Sequence, residues 1–189
     1  MLSARADGYS RRALEYASAK DFCSIFHQDM DVLYWLALAL TGDAGMAEQC
    51  FVAGLDECIQ GNAVFREWAR SWSRRVVIKN AIRFISPRPA ATNAAPALRS
   101  HEESESQGGA ALAALRNLQS FDRFVFVISV LEGYTDRDCA ALLGCSSTEV
   151  TNARVRALQQ LPREMEPSRT GLPGGVPHGS VTLSDAEVA

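Results

Sequence analysis

All seven prolines of this chain fall in two stretches: Pro87, Pro89 and Pro96 in residues 86–109, and Pro162, Pro167, Pro173 and Pro177 in residues 162–189. Proline in a helix interior removes a hydrogen bond and clashes with the preceding turn. The proline-free remainder is therefore free to be helical, and the prolines mark where helices stop. Residues 86–109 have Leu98 as their only large apolar side chain and end in Gly108 and Gly109. Such a segment buries too little surface to offset the entropy of ordering, and it reads as a flexible linker. Residues 162–189 add Gly171, Gly174, Gly175 and Gly179 and read as a disordered tail. Two blocks remain, residues 10–85 and 110–161. The expectation is an all-α protein of two small helical domains joined by a flexible linker.

Composition narrows this further. At 189 residues and 47% apolar content the chain is ordinary for a globular protein. Its longest unbroken apolar run, Val32 to Leu40, is nine residues, about half of the ~20 a membrane-spanning helix needs, so no membrane contact is expected. Arg5, Arg11 and Arg12 have no long apolar segment behind them, which argues for a cytoplasmic protein. Five cysteines without tight spacing suggest no disulfide framework and are read as reduced and mostly buried. Net charge is −3, and each block is neutral, with ten basic against ten acidic residues over 1–85 and five against five over 110–161. Any contact with nucleic acid must come from a local stripe of charge.

Apolar periodicity places the helices. Phe22, Ile25, Phe26, Leu33, Leu36 and Leu40 recur with helical spacing behind Asp21 as a cap. A break at Thr41 and Gly42 leaves Asp43 to cap a second helix to about Ile59, weakened at Gly54. A third runs from about Val64 to Ile85, stopping where Ser86 precedes Pro87. In the second block Phe121, Phe124, Val125, Ile128 and Leu131 form one apolar face closed by Gly133. Thr135 with Asp138, and Ser146 with Glu149, have the spacing of capping boxes at two short helices separated by Gly144. That is the outline of a helix-turn-helix, whose second helix would expose Ser147, Thr148, Thr151, Asn152, Arg154 and Arg156 to phosphates and base edges. A plain helical hairpin with a solvated face has the same spacing.

The 64–85 helix carries Arg66, Arg70, Arg74, Arg75, Lys79 and Arg83 against Glu67 alone. Phe65, Trp68 and Trp72 lie among them, at a spacing that suits either stacking platforms for unpaired bases or a core-facing stripe. We read the arginines as phosphate contacts and Trp68 as core. Enzymatic constellations are missing: there is no glycine-rich phosphate loop, and His27, His101 and His178 lie apart. Cys23 and His27 share a helical face without a second matching pair, and read as buried core rather than as part of a metal site. No catalytic residues, metal or cofactor are expected.

Together these motifs resemble bacterial sigma factors of the extracytoplasmic-function group, the two-domain subunits that direct RNA polymerase to promoters. Asp21-Phe22, Leu33-Tyr34, the run Leu38-Ala39-Leu40-Thr41-Gly42-Asp43 and Ala47-Glu48 look like the opening of the family's promoter-melting domain. Phe65, Trp68 and Arg74 match its helix that meets the minus-ten element. Leu115, Leu118, Arg123, Glu132-Gly133-Tyr134, Ala140, Leu142-Leu143-Gly144, Val150, Arg156-Ala157 and Leu161 look like the domain that reads the minus-thirty-five element.

The resemblance implies a polymerase-binding patch at Glu48, Gln49, Phe51 and Val52. There the family's two carboxylates are replaced by Gln49 and Ala53, which implies a weaker hold on the polymerase clamp. Thr151 and Ala153 stand where the family commonly has Lys and Arg, and Lys79 where it often has Asp. The function implied is a sigma-like initiation factor binding core RNA polymerase and promoter DNA, with an anti-sigma factor as a further candidate partner. The alternative is a divergent sigma-like regulatory or interaction protein that no longer productively engages polymerase.

Overall fold

The computed structural model describes residues 15–61, 63–89 and 107–165. The expectations of a flexible linker and a disordered tail fall mostly on residues 90–106 and 166–189, outside the described residues. The described chain is all-helical, as expected, with one isolated antiparallel bridge between Tyr16 and Phe65.

Among the described residues the first block holds four α-helices. α1 spans Ala19–Gln28, α2 Met30–Thr41 and α3 Ala44–Gln60; a 3-10 turn at Arg66–Trp68 leads into α4, Ala69–Ile85. Ser18, not Asp21, is the first cap. Its hydroxyl accepts from the Asp21 amide at 3.3 Å, while its own amide donates to the Asp21 carboxylate at 2.8 Å, a complete capping box. The continuous apolar pattern from Phe22 to Leu40 is broken at Asp29, which ends α1 and begins α2. The break re-aims the apolar face, so that Phe22, Phe26, Leu33, Leu36 and Leu40 are all buried in one core. Gly54 marks a close approach rather than a simple weakness: a β-carbon there would lie 3.2 Å from Cγ2 of Val77, where α3 packs on α4.

The second block holds α5 (Gln107–Asn117), α6 (Ser120–Phe126), α7 (Asp136–Leu143) and α8 (Ser147–Met165). The apolar face expected to run unbroken to Leu131 instead passes into a π-helical turn at Val127–Leu131, closed by the Glu132 amide donating to the Val127 carbonyl at 2.9 Å. Helix α8 continues through Pro162 to Met165, past the boundary set by the proline. At the other end of the linker α5 begins at Gln107, ahead of Ala110.

The two blocks share one contiguous apolar core. Across their junction the buried Arg123 on α6 donates from Nε to the Leu40 carbonyl at 2.9 Å and from NH2 to the Thr41 carbonyl at 3.0 Å. Those are carbonyls that the last turn of a helix leaves without intrahelical partners, so the guanidinium serves α2 as a C-terminal cap.

Candidate nucleic-acid interface

Helix α4 and the turn before it bring the basic residues together, but five of the six cations are engaged by carboxylates elsewhere in the fold. Arg66 meets Asp21 at 3.1 Å, and Arg70 takes both oxygens of Asp29 at 2.5 and 2.7 Å together with Oε1 of Gln28 at 2.7 Å. Lys79 and Arg83 share Glu57, at 2.7 and 3.4 Å. Burial alone would push the Glu57 carboxyl up, but hydrogen bonds from Lys79 and Asn80 and the charges of Lys79 and Arg83 hold it below the ordinary value. Arg74 makes a two-pronged contact with Glu132, Nε to Oε2 at 2.8 Å and NH2 to Oε1 at 2.6 Å, and this hydrogen bonding raises its pKa. Arg75 is exposed and makes no ion pair among the described residues. None of these acidic partners is on the basic helix, so a charge count along that helix could not find them.

The aromatic side chains sort differently from expectation. Trp72 packs on the core, but Trp68, read as core, is 58% exposed. The short 3-10 turn rotates Arg66–Trp68 off the helical register that would have carried Trp68 inward. Outside, it joins a ring cluster: Tyr16 stacks on Phe65 with centroids 4.7 Å apart, and Phe65 meets Trp68 edge-on at 5.3 Å. Tyr16 was not singled out by sequence. It arrives through a backbone link, the Ala17 amide donating to the Val64 carbonyl at 2.8 Å, which leaves no local periodic signal.

In the second block, α7 and α8 are joined by Gly144, Cys145 and Ser146. Gly144 adopts the left-handed conformation (φ 66°) that lets the chain turn so tightly. The Ser146–Glu149 box is complete, with the Ser146 amide donating to Glu149 at 2.8 Å and the Glu149 amide to Ser146 at 3.2 Å. At Thr135 only half forms: the Asp138 amide donates to the hydroxyl at 3.2 Å, and the hydroxyl returns a bond to the Asp138 carboxylate at 2.7 Å.

Along α8, Ser147, Thr148 and Asn152 face solvent. Thr151 is exposed too, but its hydroxyl donates to Asp136 at 3.0 Å. Arg154 forks onto the same Asp136, whose carboxyl is held below the ordinary value chiefly by that hydrogen bond. Arg156 forks onto Asp122, whose side chain is 2% exposed. Both arginines expected to meet phosphate are thus tied to α7 and α6. Exposed Val155 and Leu158 continue the outer face of α8.

The residues read as a polymerase patch lie on α3. Glu48, Gln49 and Val52 are exposed, whereas Phe51 is half-buried, edge-on to Phe26 at 5.1 Å. Cys23 and His27, read as buried, are both exposed on α1, because the core-facing side of that helix is taken by Phe22 and Phe26. No helix of the described residues is long and apolar enough to cross a membrane.

No protein-family model matches the chain, and no curated protein matches it in sequence. Among solved structures it is similar to the sigma factor RpoE, in its co-crystal structure with the anti-sigma factor NepR from Bartonella quintana. The two are 18% identical with a TM-score of 0.47, over 79% of this chain and 99% of that one.

Proposed function

We propose that this chain is a sigma-like transcription initiation factor that binds core RNA polymerase and directs it to promoter DNA, acting by binding and performing no covalent chemistry. The observation that carries the reading is the ring cluster of half-buried Tyr16 with exposed Phe65 and Trp68 at the foot of the basic helix, where Arg66 and Arg70 follow in sequence. An unpaired base stacked on such rings gains about 1–3 kcal/mol. Arg66, Arg70, Lys79 and Arg83 each keep half or more of the side chain exposed. Exposed ion pairs of that kind are worth about 0–1 kcal/mol, so a phosphate can replace the carboxylate at small cost. On α8, the short side chains of Ser147, Thr148 and Asn152 would read base edges, with less help from cations than the residue count promised.

A second reading, a sigma-like interaction protein that no longer works with polymerase, is favoured by a specific feature: Arg154 and Arg156 are both held by internal carboxylates, while Val155 and Leu158 are exposed beside them. Co-sedimentation with core polymerase separates the two. The initiation reading expects weak association, strengthened when Gln49→Asp and Ala53→Glu restore the carboxylates of the resembled family. Absence of binding in both proteins favours the interaction reading.

A further inference from the structure

The contact between Arg74 and Glu132 differs in kind from the other pairs of the basic helix. Asp21, Asp29 and Glu57 all belong to the first block, and their side chains keep 25–30% of their surface exposed. Glu132 comes from the second block, at the end of the π turn; its side chain is only 9% exposed, and both of its oxygens are spent on Arg74. A two-pronged carboxylate is the closest internal substitute for a phosphate on a guanidinium. Arg123 closes the same junction by capping α2.

We propose that Glu132 and Arg123 form an intramolecular latch. With the latch closed, the two blocks are packed together and Glu132 occupies Arg74 in place of a nucleic-acid phosphate; a polyanion engaging the basic helix competes with Glu132 and favours separation of the blocks. The inference rests on the reading of α4 as a nucleic-acid surface. It adds that this surface is self-occupied in the free protein, and that Glu132, outside every expected contact, sets its affinity. Arg75, adjacent and without an ion pair among the described residues, stays available for the first encounter.

The test uses the full chain with spin labels at Ser24→Cys and Gln159→Cys, both exposed positions in different blocks, and with Cys23→Ser and Cys145→Ser to remove the two native thiols that are not buried. Inter-label distances are measured alongside affinity for a promoter-like bubble duplex. Wild type should give one dominant distance, that of the packed blocks, with about one molecule in ten at a longer one. Glu132→Gln, which keeps the shape and removes the charge, should make the longer-distance population the larger and bind the bubble about tenfold tighter, the factor gained when a competent state of about one in ten becomes dominant. The swapped pair Arg74→Glu with Glu132→Arg should restore the short distance. An unchanged distance distribution in Glu132→Gln overturns the latch, as does opening without tighter binding when wild type itself binds. Opening in Glu132→Gln with no DNA binding by any variant leaves the closure standing and removes the nucleic-acid reading of α4.

Discussion

Arg156 closes on Asp122 from two sides, Nε to Oδ2 at 2.9 Å and NH2 to Oδ1 at 2.6 Å, and so ties the helix that would enter DNA to the buried side of α6. A residue that looks like a phosphate contact is therefore also the partner of a charge with almost no access to water. Removing one member of a buried pair is far more costly than replacing both.

Arg156→Ala should accordingly destabilise the fold by about 2 kcal/mol, less than the 3–5 kcal/mol of fully buried pairs because the arginine stays half exposed. Asp122→Asn added to it should recover part of the loss. Urea denaturation of the two variants checks this. A single variant of wild-type stability would mean that Arg156 is free for DNA after all.

Gly42 and Gly144 offer a matched comparison, because both have positive φ, 72° and 66°. A β-carbon at Gly144 meets nothing within 4 Å, whereas at Gly42 it would lie 3.2 Å from NH1 of Arg123. Both alanine variants should lose about 1–2 kcal/mol to left-handed strain. Gly42→Ala should lose more, because it also displaces the guanidinium that caps α2. Equal losses would show that Arg123 yields without consequence.

Thiol reactivity should sort by burial. Cys50, Cys58 and Cys139 are buried, and burial pushes each thiol up to about 11, away from the reactive thiolate. Cys23 is exposed. Alkylation followed by mass spectrometry at mildly alkaline pH should modify Cys23 first and those three only as the protein unfolds.

The fold was legible wherever its cause was local. Proline segregation gave the all-helical blocks, and Asp43, Thr135, Ser146 and Gly144 stand at helix ends because caps and left-handed turns depend on a few neighbouring atoms. The break at Asp29 was hidden, since two helices at an angle can both keep their apolar residues in phase. The charges of the candidate site were the least legible. Arg74 and Glu132 are 58 residues apart, and Arg70 and Asp29 are 41, so their pairing is a product of the tertiary fold.

Acid should loosen these networks. Asp136 and Glu57 both have carboxyl pKa values below those of the unfolded chain, so they contribute stability that is fully present above about pH 5 and is lost as pH falls through the lowered folded values. The urea midpoint should be flat from about pH 7 to about pH 5 and fall by about pH 3. Glu57→Gln and Asp136→Asn should lower the neutral-pH midpoint and shrink the acid-dependent drop.

The most direct measurement is transcription itself: core polymerase from a bacterium of matching type, pooled genomic fragments, and sequencing of RNA 5′ ends with and without the protein. The initiation reading predicts a discrete set of start sites that depends on the protein and weakens with Trp68→Ala or Arg75→Ala, which remove an exposed ring and the cation of the basic helix that has no ion pair among the described residues. A pattern identical with and without the protein, from polymerase that responds to a control sigma factor, would contradict it.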